Sequence, residues 1–299
     1  MVVWRLTDGK PGHESQSRGL VQALARQRPL QCHDIPVAGG AALPDLLRRR
    51  FPAGAGLPAP DLLIGAGHAT HLPLLAARRA RGGRSVVLMR PSLPAALFDL
   101  CLIPEHDRPR PRDNVLTTRG VLNDLTGDGP HHADRALVLV GGPSRHHRWD
   151  QEGLLQRLAR LFAARPGIRF TVTTSRRTPP AFIPALERLS APNCRVVPLD
   201  RTGPGWVARH LGESAEAWVT GDSVSMLYEA LTAGCRVGLL PLPASGDDRI
   251  TRGVAQLLAE GWVGSFDQAL AGDGLPPARS GFNEARRCAD SILQRWPRL

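Results

Sequence analysis

The chain has 299 residues, 42% hydrophobic and 22% charged, enough to bury a large core in two domains of ordinary size. No apolar run approaches the ~20 residues a membrane span needs, and the N-terminus lacks the basic-then-apolar pattern of a signal peptide, so a cytoplasmic protein is expected. A formal charge of +11 and a pI near 11.0 attract polyanions. Aromatics are only 5% and the arginines are spread along helices (Arg48-Arg49-Arg50, Arg78-Arg79-Ala80-Arg81), which argues against nucleic acid and keeps peripheral contact with an anionic inner membrane face open. Five isolated cysteines with no C-x-x-C pair fit a reducing compartment and exclude a cysteine zinc or iron–sulfur site.

Apolar strand patterns fall near 2–6, 61–66, 85–89, 98–103, 136–141, 168–174, 194–199, 217–220 and 236–241. Amphipathic stretches at 15–28, 68–81, 150–165, 180–190 and 224–233 lie between many of them. The alternation predicts an α/β fold of two Rossmann-like halves, 1–127 and 134–280, facing a central cleft, with the polar, Gly/Pro-bearing stretch 126–135 as linker. Residues 281–299 read as a closing helix whose Phe282, Ala285, Ala289, Ile292 and Trp296 share a face.

In such folds ligands meet the loops after the strands, and four of these loops carry chemistry. The first is Thr7-Asp8-Gly9-Lys10-Pro11-Gly12-His13-Glu14, which holds the sole lysine among 38 Lys+Arg. It is not a Walker A loop, since the earlier glycines are missing and Pro11 follows Lys10. At a helix start His13 favours its neutral, proton-accepting form, with Asp8 or Glu14 to orient it. The second, Gly65-Ala66-Gly67-His68-Ala69-Thr70-His71, permits close backbone approach to a ligand, and the His68/His71 spacing lacks the partners a metal site needs. The third, Gly141-Gly142-Pro143-Ser144-Arg145-His146-His147-Arg148, suits a pyrophosphate through glycine amides, a hydroxyl and two guanidinium groups. In the fourth, Gly221-Asp222-Ser223-Val224-Ser225, Asp222 or Ser223 caps the next helix, Ser225 offers a hydroxyl to phosphate, and Glu229 suits paired ribose hydroxyls.

The phrases LTDGKPGHESQSRGL, LVGGPSRHHRWD and TGDSVSMLYEAL resemble the family named for plant mitochondrial fission (elongated-mitochondria type), which has many bacterial members. More distantly the layout is similar to two-domain GT-B glycosyltransferases, notably the enzyme that adds N-acetylglucosamine to the lipid-linked peptidoglycan precursor. That resemblance implies an acceptor-side histidine at Gly12-His13, a donor-diphosphate loop at Gly141, Gly142 and Ser144, and a ribose-binding Glu229 followed by Gly234 and Pro241. Lys10-Pro11 and the inserted Pro143 depart from the pattern.

The expected activity is sugar transfer from a nucleotide-diphosphate donor to a lipid-linked or envelope glycan acceptor. His13, Lys10 and Asp8 are the catalytic candidates; Gly141, Gly142, Ser144, Arg145, Arg148, Asp222, Ser223, Ser225 and Glu229 are the donor-binding ones. Gly12, Gly65, Gly67 and His71 line the acceptor side. No cofactor and no metal are expected, because no D-x-D pair occurs and amides with arginine meet the leaving-group charge. The rivals are a nucleotide-binding scaffold at a membrane surface and a sugar-nucleotide epimerase. A dinucleotide oxidoreductase is disfavoured by the absence of G-x-G-x-x-G after a strand.

Overall fold

The structure, a computed structural model, describes residues 1–37, 42–189 and 191–299. Two compact units emerge: Met1–Asp124 with Asn283–Leu299, and Leu125–Phe282. Each is built on a six-stranded, all-parallel sheet flanked by helices.

Unit 1 runs β1 (Val2–Thr7), α1 (Pro11–Ala25), β2 (Gln31–Pro36), α2 (Ala42–Leu47), β3 (Leu62–Ala66), α3 (His71–Arg81), β4 (Arg84–Leu88), β5 (Leu100–Pro104) and β6 (Val115–Thr118). Its strand order is β2-β1-β3-β4-β5-β6, so the winding reverses between β1 and β3. Central strands such as Leu62–Ala66 are buried along their whole length, as parallel strands covered on both faces must be. Leu20 and Leu24 of α1 cover one face of the sheet, and Leu74 and Ala77 of α3 cover the other. Arg5 is the polar exception on β1: its Nε donates to Asp34 of β2 (2.7 Å) and an Nη to the Glu14 carbonyl (3.2 Å), tying edge strand, central strand and the first turn of α1 together. That hydrogen bond holds the Asp34 carboxyl below its usual range against the cost of burial.

Unit 2 runs β7 (His132–Val140), α4 (Gln151–Ala164), β8 (Arg169–Thr174), α5 (Phe182–Glu187), β9 (Cys194–Val196), α6 (Trp206–Glu213), β10 (Ser214–Thr220), α7 (Val224–Thr232), β11 (Arg236–Leu240), α8 (Arg249–Ala259), β12 (Gly264–Ser265) and a short α9 (Phe266–Gln268). The order β12-β11-β10-β7-β8-β9 reverses between β7 and β10. The last helix, α10 (Glu284–Arg295), returns to unit 1, where Ala285, Cys288, Ala289 and Ile292 pack beside Leu20 and Leu24.

Several elements differ from the pattern expected along the sequence. The linker is shorter than 126–135, because His132–Arg135 already form the start of β7, pairing with β10 and β8 while their side chains stay largely solvated. The 68–81 helix divides into a 3₁₀ turn at His68–Thr70 and α3. The 180–190 helix contracts to Phe182–Glu187, and its final residue, Ser190, lies outside the described residues. Strands β2, β6 and β12 lie at sheet edges, where few side chains are buried and no apolar run is required.

Candidate functional site

At the reversal point of unit 1, the β1–α1 turn meets the loop after β3. Gly9 takes a positive φ of 74°, and the Lys10 amide donates to Asp8 Oδ1 (3.2 Å), folding the turn back on the carboxylate. Pro11 opens α1 at the position where a missing N–H costs nothing, and this sets His13 on its first turn. His13 Nδ1 then donates to Asp8 Oδ2 at 2.8 Å, so the neutral ring presents Nε2 as a proton acceptor. The Asp8 side chain is 3% exposed and is the orienting carboxylate; Glu14 instead faces Arg18 at 4.0 Å. Lys10 extends 57% exposed, its ammonium 4.0 Å from the same Asp8 oxygen.

The glycines have separate tasks. A Cβ on Gly67 would lie 2.3 Å from His13 Nδ1, and the residue has φ +85°, so the loop after β3 reaches the Asp8–His13 pair only as glycine. Gly65 is pressed against Thr70 Oγ1 and Leu74, which makes it a packing position rather than a ligand-facing one. Gly12 faces open space. His68 is exposed.

His71 corrects the expectation of a residue on the acceptor side. It is 2% exposed, its Nδ1 meets Ser92 Oγ (3.0 Å), its ring packs on Phe98, and Nε2 has no partner among the described residues. His71 opens α3 on its buried side, whereas His68 starts the preceding 3₁₀ turn in solvent. Burial, aided by nearby His68, pushes its imidazole down from 6.5 to about 4. The unfolded chain therefore takes this proton first, and stability is lost as pH falls from 6.5 toward 4, by up to about 3 kcal/mol. Urea midpoints at pH 7 and pH 4.5 should separate less in His71→Leu than in the parent; equal separations would remove His71 as the source.

In unit 2 the loops after β7, β8 and β10 are joined by protein groups rather than left open for a ligand. The Gly141 amide donates to Thr220 Oγ1 (2.8 Å) and the Gly142 amide to Asp222 Oδ2 (3.0 Å). Arg177, after β8, pairs with the same Asp222 oxygen at 2.6 Å and donates to the Gly142 carbonyl at 2.9 Å. Thr178 Oγ1 donates to the Gly141 carbonyl. A Cβ on Gly141 would strike the Asp222 carboxylate, and one on Gly142 would strike the Arg177 backbone. The expectation that these two amides contact phosphate is corrected, since both are already committed. Asp222 is likewise a buried tie, and it does not cap α7.

Ser144 is also turned inward, its Oγ accepting the His146 and His147 amides at 3.1 Å each. The loop is then sewn to the segment after β11: Arg148 N donates to the Pro243 carbonyl (2.9 Å), Ser245 N to the His146 carbonyl (2.8 Å), and His146 pairs with Asp248. That bond, joined by the Thr251 and Ile250 amides of the α8 capping box, holds the Asp248 carboxyl at about 2. Burial lowers the His147 imidazole against the upward pull of Asp222.

Arg145, Arg148 and Ser225 are exposed. Ser223 stands at the N-cap of α7 without a side-chain hydrogen bond, so the first amides of this nine-residue helix carry no side-chain cap. Beside them a pocket of about 230 Å³ is lined by Leu139, Thr174, Ser175, Leu199, Met226 and Glu229. It is mostly apolar, has the acid on one wall, and suits a nucleoside rather than a whole nucleotide sugar. Sequence reading did not single out Arg177, Thr178, Thr220 or Leu199; Ser175-Arg176-Arg177-Thr178 directly after β8 was the available signal. Among the described residues no cluster of three His, Cys, Asp or Glu forms a metal site, and no helix is long and apolar enough to cross a membrane.

The fold is shared with solved structures at low identity. UDP-GlcNAc 2-epimerase from Neisseria meningitidis, bound to UDP-GlcNAc, superposes with a TM-score of 0.63 at 11% identity, covering 98% of this chain and 99% of that one. The S. aureus MnaA complex with UDP gives 0.55 at 14%, covering 100% and 97%. The glycotransferase of kitacinnamycin gives 0.53 at 14%, covering 99% of each. These likenesses place the chain among two-domain, GT-B-like folds. No curated protein sequence matches it significantly. Residues 11–296 match the family described as Mitochondrial fission ELM1, and with nearly its whole length matched the chain belongs to that family.

Proposed function

We propose that this protein is a glycosyltransferase that moves a sugar from a nucleotide-diphosphate donor to a lipid-linked or envelope glycan acceptor. The observation that carries the reading is the Asp8–His13 pair at the reversal point of unit 1, a base held by a nearly buried carboxylate. His13 Nε2 takes the acceptor hydroxyl's proton as the sugar–oxygen bond forms, and Asp8 stabilises the resulting imidazolium. Lys10 supplies a compact cation to a phosphate of the acceptor or donor. In unit 2 the nucleoside occupies the Leu199–Met226–Glu229 pocket, with Glu229 on the ribose hydroxyls. The diphosphate leaving group meets the uncapped amides of α7, Ser223, Ser225, Arg145 and Arg148, with no metal assigned.

The first test is a thermal-shift panel of nucleoside diphosphates and their sugar conjugates, since a ligand at 100 times its Kd adds about 2.7 kcal/mol of stability. Glu229→Ala should then weaken the best ligand by about 10- to 150-fold in calorimetry, the loss of a charged acceptor worth roughly 1.5–3 kcal/mol. Unchanged affinity removes Glu229 from the site. Binding without transfer to any envelope acceptor favours the scaffold reading, and interconversion of a nucleotide sugar without acceptor favours an epimerase.

A further inference from the structure

Three large apolar side chains stand exposed among the described residues: Leu43 (53%), Leu47 (69%) and Leu97 (43%). All three belong to one layer of unit 1. Leu43 and Leu47, four residues apart, share a face of α2; α2 packs on α3, and Arg78 of α3 donates to the Leu97 carbonyl (3.2 Å). This layer covers the sheet face opposite that of α1 and α10.

Positive charge predominates beside these leucines, although α2 itself carries the half-exposed Asp45. The chain leaves α2 through Arg49 at φ +53°, with the Arg50 amide returning to the Asp45 carbonyl (2.9 Å), so three exposed arginines follow Leu47 directly at the end of α2. Arg79 of α3 is exposed as well. None of Arg48, Arg49, Arg50 or Arg79 forms an ion pair among the described residues, whereas the layer's Asp99 is already paired with Arg78 and Arg84.

A solvated helix face explains the arginines but not the leucines beside them. Self-association on this face would bring like charges together across a two-fold axis. Guanidinium groups around an apolar tip match lipid phosphates above an acyl boundary. We propose that this face of unit 1 docks on an anionic lipid bilayer. The proposal does not depend on the transfer reaction, and its test needs no nucleotide.

The test is cosedimentation with phosphatidylcholine vesicles and with mixed phosphatidylcholine/phosphatidylglycerol vesicles, in low and high salt. The parent should bind the mixed vesicles, and salt should weaken the binding. Arg48→Ser/Arg49→Ser/Arg50→Ser should lower the partition by about 100-fold, and Leu43→Ser/Leu47→Ser by at least about 10-fold. All these side chains are exposed, so thermal melting should not change. Arg26→Ser/Arg286→Ser/Arg298→Ser removes the same charge from exposed positions on the opposite layer and should leave binding within about 3-fold of the parent. A parent that ignores mixed vesicles overturns the proposal. So does an equal loss in both arginine triples, which would assign binding to net charge, or a dimer that the leucine variant dissolves.

Discussion

His13→Ala is expected to slow sugar transfer by about 10²- to 10⁴-fold, the range a positioned general base supplies, while nucleotide affinity stays at the parental value. The separation follows from the fold. His13 and its partner Asp8 stand at the β1–α1 turn of unit 1, whereas the pocket with Glu229 belongs entirely to unit 2. Asp8→Asn should fall between parent and His13→Ala. The amide keeps the shape, but it carries no charge to stabilise an imidazolium and can offer Nδ1 a donor where an acceptor is needed. Single-turnover transfer with calorimetry in parallel measures both quantities. Parental rates in both variants would reduce the turn to a strand-to-helix connection, and a matching loss of nucleotide affinity would show that His13 acts through the donor.

Gly142→Ala is expected to destabilise the protein by about 1–3 kcal/mol, the range for overpacking, and to lower the melting temperature by about 2–12 °C. A methyl here would stand 2.1 Å from the Arg177 carbonyl oxygen and 2.8 Å from the Thr178 amide, backbone atoms that no rotamer change moves aside. Relief requires the β7 and β8 loops to separate, which breaks the Arg177–Gly142 bond and loosens the Asp222 tie. Nucleotide affinity should fall along with stability. At Gly12 the same methyl meets nothing within 4 Å, and in a helix alanine is favoured, so Gly12→Ala should melt at or slightly above the parent. Calorimetric scans of both variants decide the matter; Gly142→Ala melting with the parent would mean that the loops already yield.

Buried parallel strands such as Leu62–Ala66 and Ala136–Val140 carry their own signature, and from them the α/β class and the strand-end loops were legible. Edge strands were not: Gln31-Cys32-His33-Asp34-Ile35-Pro36 buries little and resembles a loop until β1 is beside it. At the candidate site, sequence proximity suggested the Asp8–His13 pairing, because both residues lie within one turn. It could not reveal that Asp222, 80 residues away, takes the Gly142 amide, nor that Arg177 bridges the two. A glycine pair looks the same in sequence whether it makes room for a phosphate or for a neighbouring loop. Histidines three apart likewise look alike, although His68 faces solvent and His71 the core.

The return of α10 to unit 1 gives biosynthesis an order. When the ribosome has finished Asp124, the sheet of unit 1 is complete from β1 to β6, yet Leu20 and Leu24 still lack the Ala285, Cys288, Ala289 and Ile292 that will cover them. The whole of Leu125–Phe282 must be made first, a delay on the order of 10–30 s at ordinary elongation rates. Through that interval the nascent chain carries an uncovered apolar stripe. Unit 2, whose segment is continuous, can settle before its older neighbour does.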